Sequence, residues 1–319
     1  MIQGDKYLYL VFSFIDPGVS PMAKIRLGLN LSWAVKRWPM PEDWAEIVAG
    51  LDVKYVQFSF DLLDPRSLSY VVDYMAGLLI DAVKRYSISI HSTFTGLAGY
   101  SFNLLTHPDP LMRYDALDWY MRAVDFTSKI GVKATGGHIA AKSVKDFTNP
   151  QRREYLDAVL IDSIRALRRY AQYKGLEMIL WEPMPVAREP PWTMEEAKEI
   201  LSKANQGPGA PVKLNIDVGH QCTLKGADWD PYEWLRRFAP ESPSIHIQQT
   251  DGKGDRHWPF TEEYNKIGII RPEKLIEAIE ASGAKEVYLL LEYIPPFEAP
   301  DDEVLRNLEL SVKYLKQYL

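Results

Sequence analysis

From Ile25 onward, short apolar runs alternate with longer segments whose apolar residues recur every three or four positions. The short runs predict eight strands, at 25–30, 55–60, 88–94, 134–139, 177–182, 212–217, 244–248 and 287–292. Most are continuously apolar rather than alternating, as expected of strands buried on both faces of a parallel sheet. The longer segments carry helix punctuation. Asp109-Pro110, Asn149-Pro150 and Asp230-Pro231 each set a capping side chain before a proline suited to a first helical turn. Thr193 to Glu196 reads as a capping box. Gly50, Gly131, Gly175 and Gly283 predict helix ends shortly before strands. The final helix is expected over 301–319, with Val304, Leu305, Leu308, Val312 and Leu315 on one face.

Eight such alternations in roughly 270 residues suit an α/β fold of the (β/α)8 barrel type better than an open doubly wound sheet. No GxGxxG follows any predicted strand, which disfavours a dinucleotide-binding fold. No low-complexity linker interrupts the pattern, so 25–319 reads as one barrel domain and 1–24 as a short N-terminal extension. Residues 7–15 (YLYLVFSFI) are apolar, but no small-residue cleavage site clearly follows them. The extension is expected to pack on the barrel or on a neighbouring subunit of a homo-oligomer.

Ionisable residues gather at the strand ends. His91 lies on strand three, His138 near the end of strand four, Glu182 at the end of strand five and Asp217 at the end of strand six, with His220 just after it. His246 lies on strand seven, Asp255-Arg256-His257 in the loop beyond, and Glu292 at the end of strand eight. Five of the six histidines are in this set, so their placement is not scattered. In a barrel the carboxyl ends of all strands share one rim, where residues distant in sequence can grip one ligand. Glu182, Asp217, His246 and Glu292 would make an oxygen-rich set with one imidazole. That donor set suits one divalent ion, with Mn²⁺, Mg²⁺ or Co²⁺ favoured and Zn²⁺ tolerated. A structural ion pair with Arg256 or Arg188 is the alternative for the glutamates, and a helix cap the alternative for Asp217. Trp33, Phe60, Phe94 and Trp181 could wall off a ligand or simply pack the barrel. Lys142 and Ser143 are weak phosphate candidates, better read as a solvated loop.

Composition narrows the classes. Acids outnumber bases by 43 to 37, a net charge of −6, which disfavours a general nucleic-acid binder. Cys222 is the only cysteine, which excludes internal disulfides and a thiolate metal cluster. No apolar run approaches the roughly 20 residues of a membrane span, so a soluble, cytoplasmic protein without membrane contact is expected.

With these residues in place, the chain resembles the xylose-isomerase-like barrel superfamily from Ile25 to its C-terminus. Its D-tagatose 3-epimerase branch would take Glu182, Asp217, His246 and Glu292 as metal ligands. The resemblance implies His220 in Asp217-Val-Gly-His220 and Arg256 as holders of substrate oxygens, with His91 and His257 as further substrate contacts. The segments LGLNLSWAVKRWP, VQFSFDLLDP and IHSTFTGLAGYSFNLLTHPDP look like epimerases and isomerases of short ketose phosphates, including tetrulose phosphates. A second branch, endonuclease IV, binds three zinc ions and cleaves abasic DNA. Its ligand pattern can be laid on the same histidines and acids, with His138 and Asp255 as additional metal ligands. The chain departs from that branch in GGHIA, WEPMP and DVGH. The reading that follows is a divalent-metal-dependent epimerase or isomerase of a ketose or short ketose phosphate. Glu182 and Glu292 would remove and return the proton through an enediolate, and the partner would be a small-molecule sugar or sugar phosphate. The abasic-site nuclease is the alternative.

Overall fold

In the computed structural model, which describes residues 22–319, eight parallel strands close on themselves in sequence order. They are β1 (Lys24–Asn30), β2 (Tyr55–Ser59), β3 (Ser89–Phe94), β4 (Ala134–Gly137), β5 (Met178–Trp181), β6 (Val212–Asp217), β7 (Ser244–Ile247) and β8 (Glu286–Leu291). β1 pairs with both β2 and β8, which leaves no free sheet edge. This is the single (β/α)8 barrel that the alternating pattern predicts. The expected packing of the N-terminal extension falls on residues 1–21, outside the described residues.

The caps form as their residue types dictate. Asp109 accepts from Leu111 N and Met112 N, Asn149 from Arg152 N, and Asp230 from Tyr232 N. Thr193 accepts from Glu196 N, but Glu196 Oε2 reaches back to Trp192 N, one residue earlier than a capping box requires. Gly50 is the last residue of its helix rather than the residue beyond it, and Asp52 takes the left-handed conformation instead, at φ 52°. The final helix spans Asp301–Leu315 and buries Val304, Leu308, Val312 and Leu315 against the barrel.

Five strands stop earlier than their apolar runs suggest, and in three of them this decides where the chemistry sits. β4 ends at Gly137, β5 at Trp181 and β8 at Leu291, so His138, Glu182 and Glu292 are each the first residue past a strand. In β4 the cause is visible. A Cβ on Gly137, whose φ is +122°, would meet Thr95 Oγ1 at 2.7 Å and the Phe94 ring at 2.8 Å. Only glycine permits that approach, and the ladder cannot continue regularly beyond it.

Candidate active site

Glu182, Asp217, His246 and Glu292 converge inside the carboxyl-terminal mouth of the barrel. All four are buried, and one donor atom from each lies within 4.8 Å of the others. His246 Nδ1 stands at the centre, 3.0 Å from Glu182 Oε1, 2.9 Å from Glu292 Oε2 and 4.0 Å from Asp217 Oδ2. Parallel strands in register explain the convergence, because Asp217 is paired with His246 across β6 and β7.

Two atoms of this cluster are buried without a hydrogen-bond partner, Asp217 Oδ2 and His246 Nδ1. The other Asp217 oxygen is satisfied, accepting from Gly219 N at 2.6 Å and from Gln248 Nε2 at 2.9 Å. Asp217 therefore does cap a turn, but with one oxygen only. Buried unpaired polar atoms are costly, and three carboxylates around one imidazole more so. A divalent cation relieves both problems, and the donor set is one that such ions accept. The residues fit a metal.

The electrostatics follow from the same crowding. Burial alone would lower the His246 imidazole, but Glu292 and Glu182 outweigh it and push it up to about 10. Burial raises the Asp217 carboxyl above its ordinary value. The structural alternatives for the glutamates do not form. Arg256 pairs with Asp251 at 3.1 Å, and Arg188 donates to the Lys142 carbonyl at 3.1 Å.

A second group adjoins the first. His220, Asp255 and His257 also bring donor atoms within 4.8 Å of one another. His257 Nδ1 lies 3.5 Å from Glu292 Oε2, which links the two groups. Burial would raise Asp255, but His220 and His257 hold it well below the usual carboxylate range. In return, and against burial, Asp255 helps push His257 up to about 9. His257 sits at φ 48°, a conformation rarely adopted by side-chain-bearing residues, and its N–H donates to Gln248 Oε1 at 2.5 Å. Gln248 thus ties both groups together, because its Nε2 also donates to Asp255 Oδ1 at 2.7 Å.

A small cavity of about 60 Å³ opens onto both groups, lined by Ser32, Phe94, Tyr100, Met184 and Ile294 beside the titratable side chains. His138 also lines it, with both ring nitrogens unpartnered and burial lowering the ring to about 3. His138 belongs to neither donor group, so the structure does not bring it together with Asp255 as a metal ligand. His91 is placed elsewhere. It occupies the irregularity between β2 and β3, with its ring 4.3 Å from Tyr288, and does not reach the cavity. Arg256 is likewise turned off the cavity, its guanidinium lying over Trp258. Of the four aromatic residues, Phe94 lines the cavity, whereas Trp33 and Trp181 are fully buried packing. Phe60 faces a neighbouring cavity of about 340 Å³, also lined by residues of the 98–104 segment, which holds no metal-ligating group of three. Lys142 is not in a solvated loop. It is 2% exposed and paired with Asp157 at 2.6 Å, while Ser143 caps a short helix.

Sequence reasoning missed Asn30, Gln57 and Gln248. Each is a buried, uncharged polar residue on or just past an apolar strand, and nothing in the sequence sets such an amide apart from one at the surface.

The comparisons with known proteins agree with this geometry. Residues 45–314 match the model of the xylose isomerase-like TIM barrel. D-Erythrulose 1-phosphate 3-epimerase of Brucella abortus is 31% identical over 295 residues, covering 91% of this chain and 95% of that protein. A candidate xylose isomerase from Rhodospirillum rubrum superposes with a TM-score of 0.87 at 34% identity, over 92% of this chain and 99% of its own. D-Psicose 3-epimerase from Clostridium cellulolyticum shares the fold, with a TM-score of 0.66 at 14% identity over 92% of this chain and 99% of its own. A match to the family model across most of the chain, together with relatives above 30% identity along nearly its full length, makes this protein a member of the xylose isomerase-like TIM-barrel family.

Proposed function

We propose that the protein is a divalent-metal-dependent 3-epimerase of a short ketose, with a tetrulose phosphate as the first substrate to try. The observation that carries the reading is that Glu182 and Glu292 both bring a carboxylate oxygen within 3.0 Å of His246 Nδ1, beside the unpartnered Asp217 Oδ2. Epimerisation next to a carbonyl needs proton removal from one face of a carbon and delivery to the other. Two carboxylates at a shared centre supply both operations. The relative from Brucella abortus, named for a four-carbon ketose phosphate, supports the choice of substrate.

Glu182, Asp217, His246 and Glu292 would hold the ion, Mn²⁺, Mg²⁺ or Co²⁺ by preference and Zn²⁺ by tolerance. The bound ion supplies Lewis-acid stabilisation of negative charge on the substrate's carbonyl oxygen, worth several kcal/mol of barrier. The rest falls to the protein. One glutamate takes the carbon-bound proton and the other, protonated, returns one to the opposite face of the enediolate. His220 donates its Nδ1–H to the Pro183 carbonyl at 2.8 Å, which fixes its ring, and its Nε2, 3.4 Å from Asp255 Oδ2, would share a substrate hydroxyl with that carboxylate. His257, held cationic by Asp255, gives the cavity a positive group. Phe94, Met184 and Ile294 exclude water from the reacting carbon.

An endonuclease IV-like site would need His91 and His138 beside Glu182, and neither belongs to the cluster around it. The second group, His220, Asp255 and His257, favours at most one further ion. The test is deuterium uptake from D₂O across a panel of ketoses and ketose phosphates by the metal-loaded protein. Exchange at C3 with at least one short ketose is expected. Exchange with none, alongside cleavage of abasic DNA and two or more bound zinc ions, would replace the epimerase with the nuclease.

A further inference from the structure

His246 can serve as a ligand only if its central nitrogen, Nδ1, carries a lone pair, so the ring proton must sit on Nε2. A chain of hydrogen bonds from β1 and β2 determines this. It begins at a donor whose identity is not in question, the backbone N–H of Ser32, which donates to Asn30 Oδ1 at 2.9 Å. Ser32 Oγ donates to the same oxygen at 2.6 Å. With its oxygen so occupied, Asn30 must turn Nδ2 toward Gln57, and it donates to Gln57 Oε1 at 2.8 Å; the same nitrogen is 3.4 Å from His246 Nε2, too far to compete with the Gln57 oxygen for that atom. Gln57 therefore presents an acceptor, and that same oxygen lies 2.5 Å from His246 Nε2. The Gln57 amide nitrogen is engaged on its other side, donating to Ser92 Oγ at 3.0 Å and to Asn215 Oδ1 at 3.4 Å. An acceptor-only oxygen at 2.5 Å requires Nε2 to be the donor. All the side chains in the chain are buried, so no solvent can substitute for a missing partner.

We propose that Asn30 and Gln57 are positioning residues that lock His246 in the Nε2–H tautomer and thereby direct Nδ1 at the cation. The inference rests on the metal reading above and adds residues on the opposite side of the barrel to it. Groups that orient a ligating histidine in this way commonly govern metal affinity by about 10- to 100-fold.

Two near-isosteric variants separate this role from packing. Gln57→Met keeps the length of the side chain but leaves no acceptor for His246 Nε2, so nothing holds the ring proton there. Gln57→Glu keeps an acceptor at the same place. Zn²⁺ affinity of the full chain, measured by competition with a chelator, should fall about 10- to 100-fold in Gln57→Met and be retained in Gln57→Glu. In ¹⁵N-histidine NMR spectra of the Zn²⁺-loaded wild-type protein, His246 should carry its proton on Nε2. Unchanged affinity in Gln57→Met, equal loss in both variants, or a proton on Nδ1 in the wild type would overturn the inference while leaving the metal site standing. Failure of the wild-type chain to bind any divalent ion would overturn the metal reading, and this inference with it.

Discussion

The two halves of the barrel mouth differ in kind. The ends of β5 to β8 and their loops supply Glu182, Asp217, His220, His246, Asp255, His257 and Glu292, and so nearly all the charge. The ends of β1 to β4 supply Asn30, Gln57, Ser92 and His138, which are neutral, because burial keeps His138 unprotonated. The difference separates two tasks. Groups that bind the ion and move protons must be ionisable, and a cluster of them is unstable without a cation. Groups that set the geometry of a ligand are better neutral, because they hold direction without adding buried charge. One half carries the reaction, and the other holds its histidine in the correct form.

The sharpest way to break the comparison is to disable the charged half. Glu182→Gln or Glu292→Gln should each lower deuterium uptake by about 10²- to 10⁴-fold. Retained exchange in either would remove the two-carboxylate scheme. Removing the ion should cost stability as well as activity. Chelation of protein held at a free-ion concentration 100 times its Kd should remove about 2.7 kcal/mol, seen as a lower Tm. The Tm of Asp217→Ala should be insensitive to chelator.

The neutral half should show itself in acid. Burial lowers His91 to about 4, so the folded state binds its proton less readily than the unfolded chain does. Its contribution is therefore complete above pH 6.5 and is lost as pH falls toward 4, on the order of 3 kcal/mol. His91→Phe should flatten the decline of Tm over that window, and an unchanged slope would contradict the assignment. The smallest effect is expected at Arg256. Its pair with Asp251 is half-exposed, so Arg256→Ala should change stability by less than about 1 kcal/mol. KM should change little, because the guanidinium is turned off the cavity.

The charged half was legible in the sequence and the neutral half was not, for a physical reason. A glutamate directly after Leu-Trp or Leu-Leu-Leu cannot be a solvated surface residue, so Glu182 and Glu292 stand out against their neighbours. A barrel brings strand ends to one rim whatever their separation in sequence, so the four-residue set followed once eight strands were counted. Asn30 and Gln57 carry no such signal. A neutral amide within a strand is equally consistent with a surface position, and only the register of β1 against β2 shows the two facing each other. The same limit misplaced His91 and Arg256. His91 precedes its strand end by three residues and falls at the irregularity with β2, and Arg256 follows a turn in which Asp251 captures its guanidinium. Lys142 looked solvated because the sequence does not show that Asp157 lies over it.

The most direct test of the whole account is anomalous diffraction from crystals of the protein loaded with Co²⁺. The account predicts a single strong peak bounded by Glu182, Asp217, Glu292 and His246, with the histidine coordinating through Nδ1 and Nε2 still hydrogen-bonded to Gln57. No peak at that position, or coordination through Nε2, would contradict it.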